Sequence, residues 1–185
     1  MPKGTFLNLS DDKREKIIEV LVNEFKEKSI QDATVKDIVE KLNIARGSFY
    51  QYFESLEESY FYILELKTNE LHKTFLELMN EYKDINKVLN EYGTVIANII
   101  FDNSNYMLYK NRYLFWNERI NDKWKKYICK NKKIDSLKES DEMIYISVVI
   151  HNLISRTYSE NWDYKTFLSK YEKYIKWLKR GVCYE

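Results

Sequence analysis

The sequence predicts an all-α chain, in which a small three-helix head carrying a helix-turn-helix precedes a longer helical bundle. Three observations carry that prediction. Turn-forming residues are scarce: one Pro (Pro2) and four Gly in 185 residues are too few for a strand-and-turn architecture. Ser, Thr or Asp stands repeatedly just ahead of an apolar-periodic run, where a side-chain oxygen can accept from a free helix amide. Apolar residues then recur at spacings of three and four, the period of a half-buried helix. A composition that is 44% hydrophobic and 32% charged supports a packed core.

Taken in order, Ser10 with Asp11 and Asp12 starts the first helix, the carboxylates matching the positive end of its dipole. Ile17, Leu21 and Phe25, with Ile18 and Val22 alongside, form one stripe ending near Lys28. Thr34-Val35-Lys36-Asp37 is a capping box with Asp in the place of Glu. It opens a helix with Val35, Ile38, Val39 and Leu42 on its inner face. Asn43 follows, a residue that tolerates the left-handed conformation ending a helix. A third short helix spans Arg46–Phe53, with Phe49 and Phe53 inward. Ile17, Leu21, Phe25, Ile38, Leu42, Ile44, Phe49 and Phe53 make one predicted core. Ser55-Leu56-Glu57-Glu58 is a second capping box, starting a long helix to Tyr82. Asp84 caps a helix reaching about Phe101. Asn105–Ile120 and Asp122–Asn131 read as further helices and the polar Lys130–Ser140 as a loop. Asp141–Ser159 and Asp163–Lys179 complete the chain, with Gly181 as a stop signal.

Several function classes fall away. There is no Gly-rich phosphate loop, no His/Cys/Asp cluster and no nucleophile arrangement, so no catalytic residue, metal or cofactor is expected. Glu57-Glu58 reads as helix-start charge, and His72 and His151 are isolated. Cys129 and Cys183 lack metal-like spacing and read as packing residues of a reducing compartment. Met1–Leu9 has no apolar signal-peptide core. Met143–Ile154, the most apolar stretch, falls short of the ~20 residues that span a bilayer. A cytoplasmic protein with no membrane partner is expected.

Thr34–Leu42 and Arg46–Tyr52 fit the supporting and reading helices of a helix-turn-helix. The run Thr34-Val35-Lys36-Asp37-Ile38-Val39, then Asn43-Ile44-Ala45-Arg46-Gly47-Ser48-Phe49-Tyr50-Gln51-Tyr52-Phe53, then Ser55 and Glu57-Glu58, resembles the signature of the tetracycline-repressor family, over about Ile17–Leu64. The resemblance implies a homodimer in which each subunit lays its third helix in the major groove of double-stranded DNA. Carried onto this chain, the DNA-binding positions are Thr34, Lys36, Ala45, Arg46, Gly47, Ser48, Tyr50, Gln51 and Tyr52. Their chemistry suits the role: Arg46 can fork onto guanine or phosphate, Gln51 can pair with adenine, and the tyrosines can donate to phosphates.

The departures from the family pattern are informative. Ser29 and Asn43 stand where Gly is common. Ala45 cannot cap the reading helix, a loss of about 1 kcal/mol against Ser. Glu54 and Leu56 stand where the family often has phosphate-anchoring Lys. Residues 1–54 hold nine basic residues (Lys3, Lys13, Arg14, Lys16, Lys26, Lys28, Lys36, Lys41, Arg46) against ten acidic ones (Asp11, Asp12, Glu15, Glu19, Glu24, Glu27, Asp32, Asp37, Glu40, Glu54). A near-neutral head predicts modest nonspecific affinity and a shallow salt dependence.

The expected division is a DNA-binding head, 1–54, and a ligand-binding and dimerisation part, 55–185. The resemblance implies a small-molecule pocket in the second part. The aromatic-rich stretch Asn105–Tyr127 points to Tyr106, Tyr109, Tyr113 and Trp116, with His151, as walls for an apolar or aromatic ligand. The broad apolar stripes of the last two helices point to Ile146, Val149, Ile150, Leu153, Phe167, Tyr171 and Tyr174 as a dimer interface. The functional expectation is a sequence-specific transcriptional repressor released by such a ligand. The near-neutral head keeps open a second reading, a helical adaptor whose degenerate head binds protein partners.

Overall fold

The structure, a computed structural model, describes residues 2–131 and 140–182. Among the described residues ten helices follow one another: α1 Gly4–Leu7, α2 Asp11–Glu27, α3 Val35–Leu42, α4 Arg46–Tyr52, α5 Leu56–Tyr82, α6 Ile85–Ile100, α7 Tyr106–Phe115, α8 Glu118–Asn131, α9 Asp141–Ser159 and α10 Tyr164–Val182. No strand occurs among the described residues. Packing divides the chain into two compact units. As far as they are described, one comprises Met1–Lys67 with Met107–Asp135 and the other Thr68–Tyr106 with Ser136–Glu185.

Local chemistry accounts for most helix limits in the first unit. The Thr34 hydroxyl accepts from the Asp37 amide at 3.2 Å, starting α3. Asn43 ends α3 in the left-handed conformation, φ 53° and ψ 49°. Ala45 stands at the N-cap of α4 without a side-chain bond. Ser55 Oγ accepts from the Glu58 amide at 3.1 Å, while the Glu58 carboxylate reaches back past the cap to the Glu54 amide at 2.6 Å. Ser10 departs from expectation. It occupies the N-cap of α2, but its hydroxyl bonds no amide, leaving Asp11 and Asp12 to complement the helix dipole.

The predicted head core forms, with Ile44 only partly buried. It is larger than predicted. Phe6 of α1 is fully buried, its ring centroid 5.0 Å from Phe53 and 5.5 Å from Tyr62. Leu108, Ile120 and Tyr127, from α7 and α8, join the same cluster.

Three boundaries differ from the sequence expectation. The break predicted at Asn121 falls at Trp116–Asn117, because the Asn117 side chain accepts from the Ile120 amide at 3.0 Å and starts α8 there. Gly181 does not stop α10, which runs on to Val182. Its φ is not positive, so no left-handed cap forms. Of the predicted loop, Lys130 and Asn131 are helical and Ser140 caps α9 through the Met143 amide at 3.4 Å; residues 132–139 lie outside the described residues. Cys129 is exposed rather than packed, and Cys183 also lies outside the described residues.

In the second unit α10 packs on α6 and α9. Gly93 of α6 makes that approach possible: a Cβ there would meet the Tyr171 ring at 2.5 Å. The Tyr171 hydroxyl donates to the Leu89 carbonyl at 2.8 Å and that of Tyr158 to the Ile100 carbonyl at 3.1 Å. Both buried phenols thus keep a partner. Among the described residues no helix is long and apolar enough to cross a membrane, and no group of His, Cys, Asp or Glu is placed to hold a metal.

Candidate nucleic-acid interface

The supporting helix α3 is held to α2 by a charge network around Glu24, whose side chain is 0% exposed. Lys41 reaches one carboxylate oxygen at 2.8 Å and Lys28 the other at 3.1 Å. Lys28 also pairs with Asp37 at 2.9 Å, and Lys41 with Glu27 at 2.6 Å. The network fastens both ends of α3, because Asp37 lies in its first turn and Lys41 in its last. Hydrogen bonds to Asp37 and Glu24 raise the Lys28 pKa, and those to Glu24 and Glu27 raise that of Lys41. Asp37 is held below the usual carboxylate range, first by the Thr34 hydroxyl and then by Lys28. Lys36 pairs with Glu40 at 3.8 Å and Arg14 with Asp11. Several cations of the head are therefore engaged by its own acids.

With Phe49 anchored in the core, α4 turns its other face outward. Arg46, Gly47, Tyr50 and Gln51 are exposed, as are Ala45, Thr34 and Lys36; Ser48 and Tyr52 are half-buried. All nine predicted DNA-binding positions are thus at least partly exposed, seven on α4 or at its N-cap and two at the start of α3. The Arg46 guanidinium lies 6.0 Å from the Tyr50 ring centroid, so the two side chains act on neighbouring ground. Nothing lies within 4 Å of a Cβ built on Gly47. The chain's own packing therefore does not require glycine there, whereas close approach to an external partner would.

Two features escaped the sequence reading. Lys3 donates its backbone N–H to the Tyr52 carbonyl and its ammonium to the Tyr50 carbonyl, both at 2.8 Å, closing the C-terminal end of α4. Two residues past α4, Glu54 pairs with Lys130 of α8 at 2.8 Å. A cleft of about 370 Å³ lies alongside, lined by Glu54, Ser55, Glu57, Glu58, Phe61, Lys123, Lys126, Tyr127 and Lys130. Lys123 pairs with Glu57, and the Tyr127 hydroxyl donates to Glu65 at 2.8 Å. The only sequence signal for Lys3 is the apolar pair Phe6-Leu7 beside it. Lys130 and Glu54 lie 76 positions apart, beyond any local pattern.

The predicted ligand residues do not line that cleft. Tyr109 is buried in the first unit, its hydroxyl donating to the Lys67 carbonyl at 2.8 Å. Tyr113 and Trp116 are half-buried there, with the Arg112 guanidinium over both rings at 5.2 and 5.3 Å. Tyr106 belongs to the second unit, edge-on to Tyr158 at 5.3 Å, and His151 is exposed on α9. The predicted dimer residues differ in their exposure. Ile146, Ile150, Leu153, Phe167 and Tyr171 are buried within the chain; Val149 and Tyr174 are half-buried. Among the described residues of these two helices, the exposed large apolar side chains are Ile144 (46% exposed), Tyr145 and Val148 (59%) on α9 and Tyr164 and Trp177 on α10; Leu66, Leu76, Met107, Leu114 and Phe115 are exposed elsewhere.

Comparison with known proteins adds two family matches. Residues 85–181 match the model described as "Tetracyclin repressor, C-terminal domain", and residues 17–58 the one described as "Bacterial regulatory proteins, tetR family". None of the curated proteins compared matches the chain in sequence. Among solved structures, a TetR family transcriptional regulator from Chloroflexus aurantiacus is 22% identical, with 98% of each chain covered and a TM-score of 0.55. A protein assigned to the same family from Syntrophomonas wolfei is 16% identical over 92% of this chain and 96% of its own, TM-score 0.69. The fatty acid degradation regulator of Bacillus halodurans is 14% identical over 91% and 96%, TM-score 0.65. At these identities the likeness establishes the fold.

Proposed function

This chain belongs to the tetracycline-repressor family of bacterial regulatory proteins, and we propose that it acts as a homodimeric, ligand-released repressor that reads its operator with α4. It is a DNA-binding transcriptional regulator. The observation that carries the finer reading is the exposed set Arg46, Gly47, Tyr50 and Gln51 on one helix whose opposite side, Phe49, is locked in the core. Arg46 and Gln51 read base edges, while Tyr50, Tyr52, Thr34 and Lys36 position the backbone. Residues 1–54 serve as the reading head and 55–185 as the ligand and dimer part, in a cytoplasmic protein without enzymatic activity.

A dimer places two reading helices on half-sites one helical turn apart, ~34–36 Å. The open apolar surface of Ile144, Tyr145 and Val148 fits self-association, since monomers rarely expose contiguous apolar patches. The effector is small and largely apolar, bound more tightly by the form that has left DNA. The Bacillus halodurans relative is named as a fatty acid degradation regulator, and an acyl chain falls within that chemical class. The test is a gel shift on the DNA upstream of the protein's own gene, with Arg46→Ala and Tyr50→Ala beside the unchanged chain. The reading requires a shift that both substitutions weaken while the dimer persists. No shift on that or any other genomic fragment would favour a protein-binding adaptor, to which the internally paired charges of the head lend some weight.

A further inference from the structure

We propose that Lys130, delivered by α8 to the end of the reading helix, is a DNA-phosphate anchor, and that Glu54 holds it in place until DNA arrives. The inference rests on the reading of α4 as the DNA-reading helix and extends it to an element remote in sequence. A duplex read by α4 presents phosphates along both edges of the groove. The C-terminal end of α4 is poorly suited to meet them. A helix C-terminus carries partial negative charge, and Glu54, two residues beyond α4, adds a full one.

Lys130 offsets that charge directly. Its ammonium lies 2.8 Å from the Glu54 carboxylate, and both side chains are 66% exposed. An ammonium has three donors, so the pair leaves Lys130 capacity for a phosphate oxygen. A pair this exposed adds little to stability, so folding alone gives it slight purpose. Lys3 stands nearby. The Glu54 carboxyl is held below its usual range first by the hydrogen bond and charge of Lys130, with a smaller effect from Lys3. The other charged groups lining the cleft are Glu57, Glu58, Lys123 and Lys126, and Lys123 is paired with Glu57. The arrangement returns a cation to the place where the sequence carries Glu54. A phosphate oxygen can replace the carboxylate oxygen as the Lys130 acceptor, with no change in the ammonium's charge state.

A double-mutant cycle on the full-length protein tests this. Lys130→Gln, Glu54→Gln and the combined variant are titrated against the upstream DNA and a random duplex of equal length, between 50 and 200 mM salt (a range of the order over which phosphate contacts are read out). Glu54→Gln should tighten binding to both duplexes. Adding Lys130→Gln to it should weaken both by a similar factor, about tenfold, because phosphate contacts carry no sequence information. The slope of log K against log salt should fall by about two for a dimer losing one contact per subunit, at ~0.9 per phosphate. If Lys130 merely neutralises Glu54, Lys130→Gln will have no effect once Glu54 is Gln, and the proposal is overturned. Lys130→Arg keeps the charge and should keep the slope even if Lys130→Gln folds poorly; loss of the slope in Lys130→Arg would also overturn it. If the unchanged protein binds neither duplex, the reading of α4 fails first and this inference with it.

Discussion

At the scale of single residues, the head separates those that hold it from those that face outward. Arg46 is exposed and Tyr50 meets the core only edge-on, its ring 5.4 Å from that of Phe49, so Arg46→Ala and Tyr50→Ala should each weaken operator binding by about 1–3 kcal/mol, as expected for a lost base or phosphate contact. The thermal midpoint should stay within a degree or two of the parent, since exposed substitutions change stability by ~0.5 kcal/mol or less. A large loss of midpoint would mean these side chains serve the fold instead. Asp37 behaves in the opposite way. Its folded pKa lies below the ordinary carboxylate value of 3.8 because of Thr34 and Lys28, so the stability it contributes is present above that value and lost as pH falls through the folded one. Thermal melts between roughly pH 5 and pH 3 should therefore show a steeper decline for the parent than for Asp37→Asn. Parallel declines would remove Asp37 from the account.

Among the elements, those legible in the sequence are the ones whose limits are set within a turn of chain. Thr34 with Asp37, Asn43 and Asp84 each mark a boundary by a bond or a dihedral involving near neighbours, and each stands where the pattern placed it. The break before α8 was misplaced because Asn117 and Asn121 are both polar and both able to cap. Only the packing of Ile120 into the core selects Asn117. Short α1 went unread because its four residues are too few for a periodic signal, though Phe6 is buried as deeply as any residue of α2. The pairing of α6 with α10 likewise depends on one unremarkable residue. Gly93→Ala should destabilise the protein by about 1–3 kcal/mol, the cost of overpacking, since the Tyr171 ring is buried and tethered at its hydroxyl. With Tyr171→Ala in place the same change should turn neutral or stabilising by up to about 1 kcal/mol, the helix preference for Ala over Gly. Equal costs in both backgrounds would show that the close approach does not matter.

For the whole molecule, apolar periodicity in α9 and α10 shows that a face is buried but not against which copy of the chain. Ile146, Leu153, Phe167 and Tyr171 are buried within one chain, whereas Ile144, Tyr145 and Val148 are exposed. Val148→Glu should therefore shift the protein from dimer to monomer in sedimentation while leaving its helical content intact. Persistence of the dimer would place the interface elsewhere. The same substitution should weaken operator binding, because two linked heads gain from each other's attachment.

The central claim is that α4 reads DNA on behalf of a paired molecule. It is tested most directly by quantitative footprinting of the upstream DNA with the unchanged protein and with Arg46→Ala/Tyr50→Ala. The account predicts two protected half-sites about one helical turn apart, lost in the double variant while its sedimentation and melting remain those of the parent. Protection that survives the double substitution, or a single protected half-site, would contradict it.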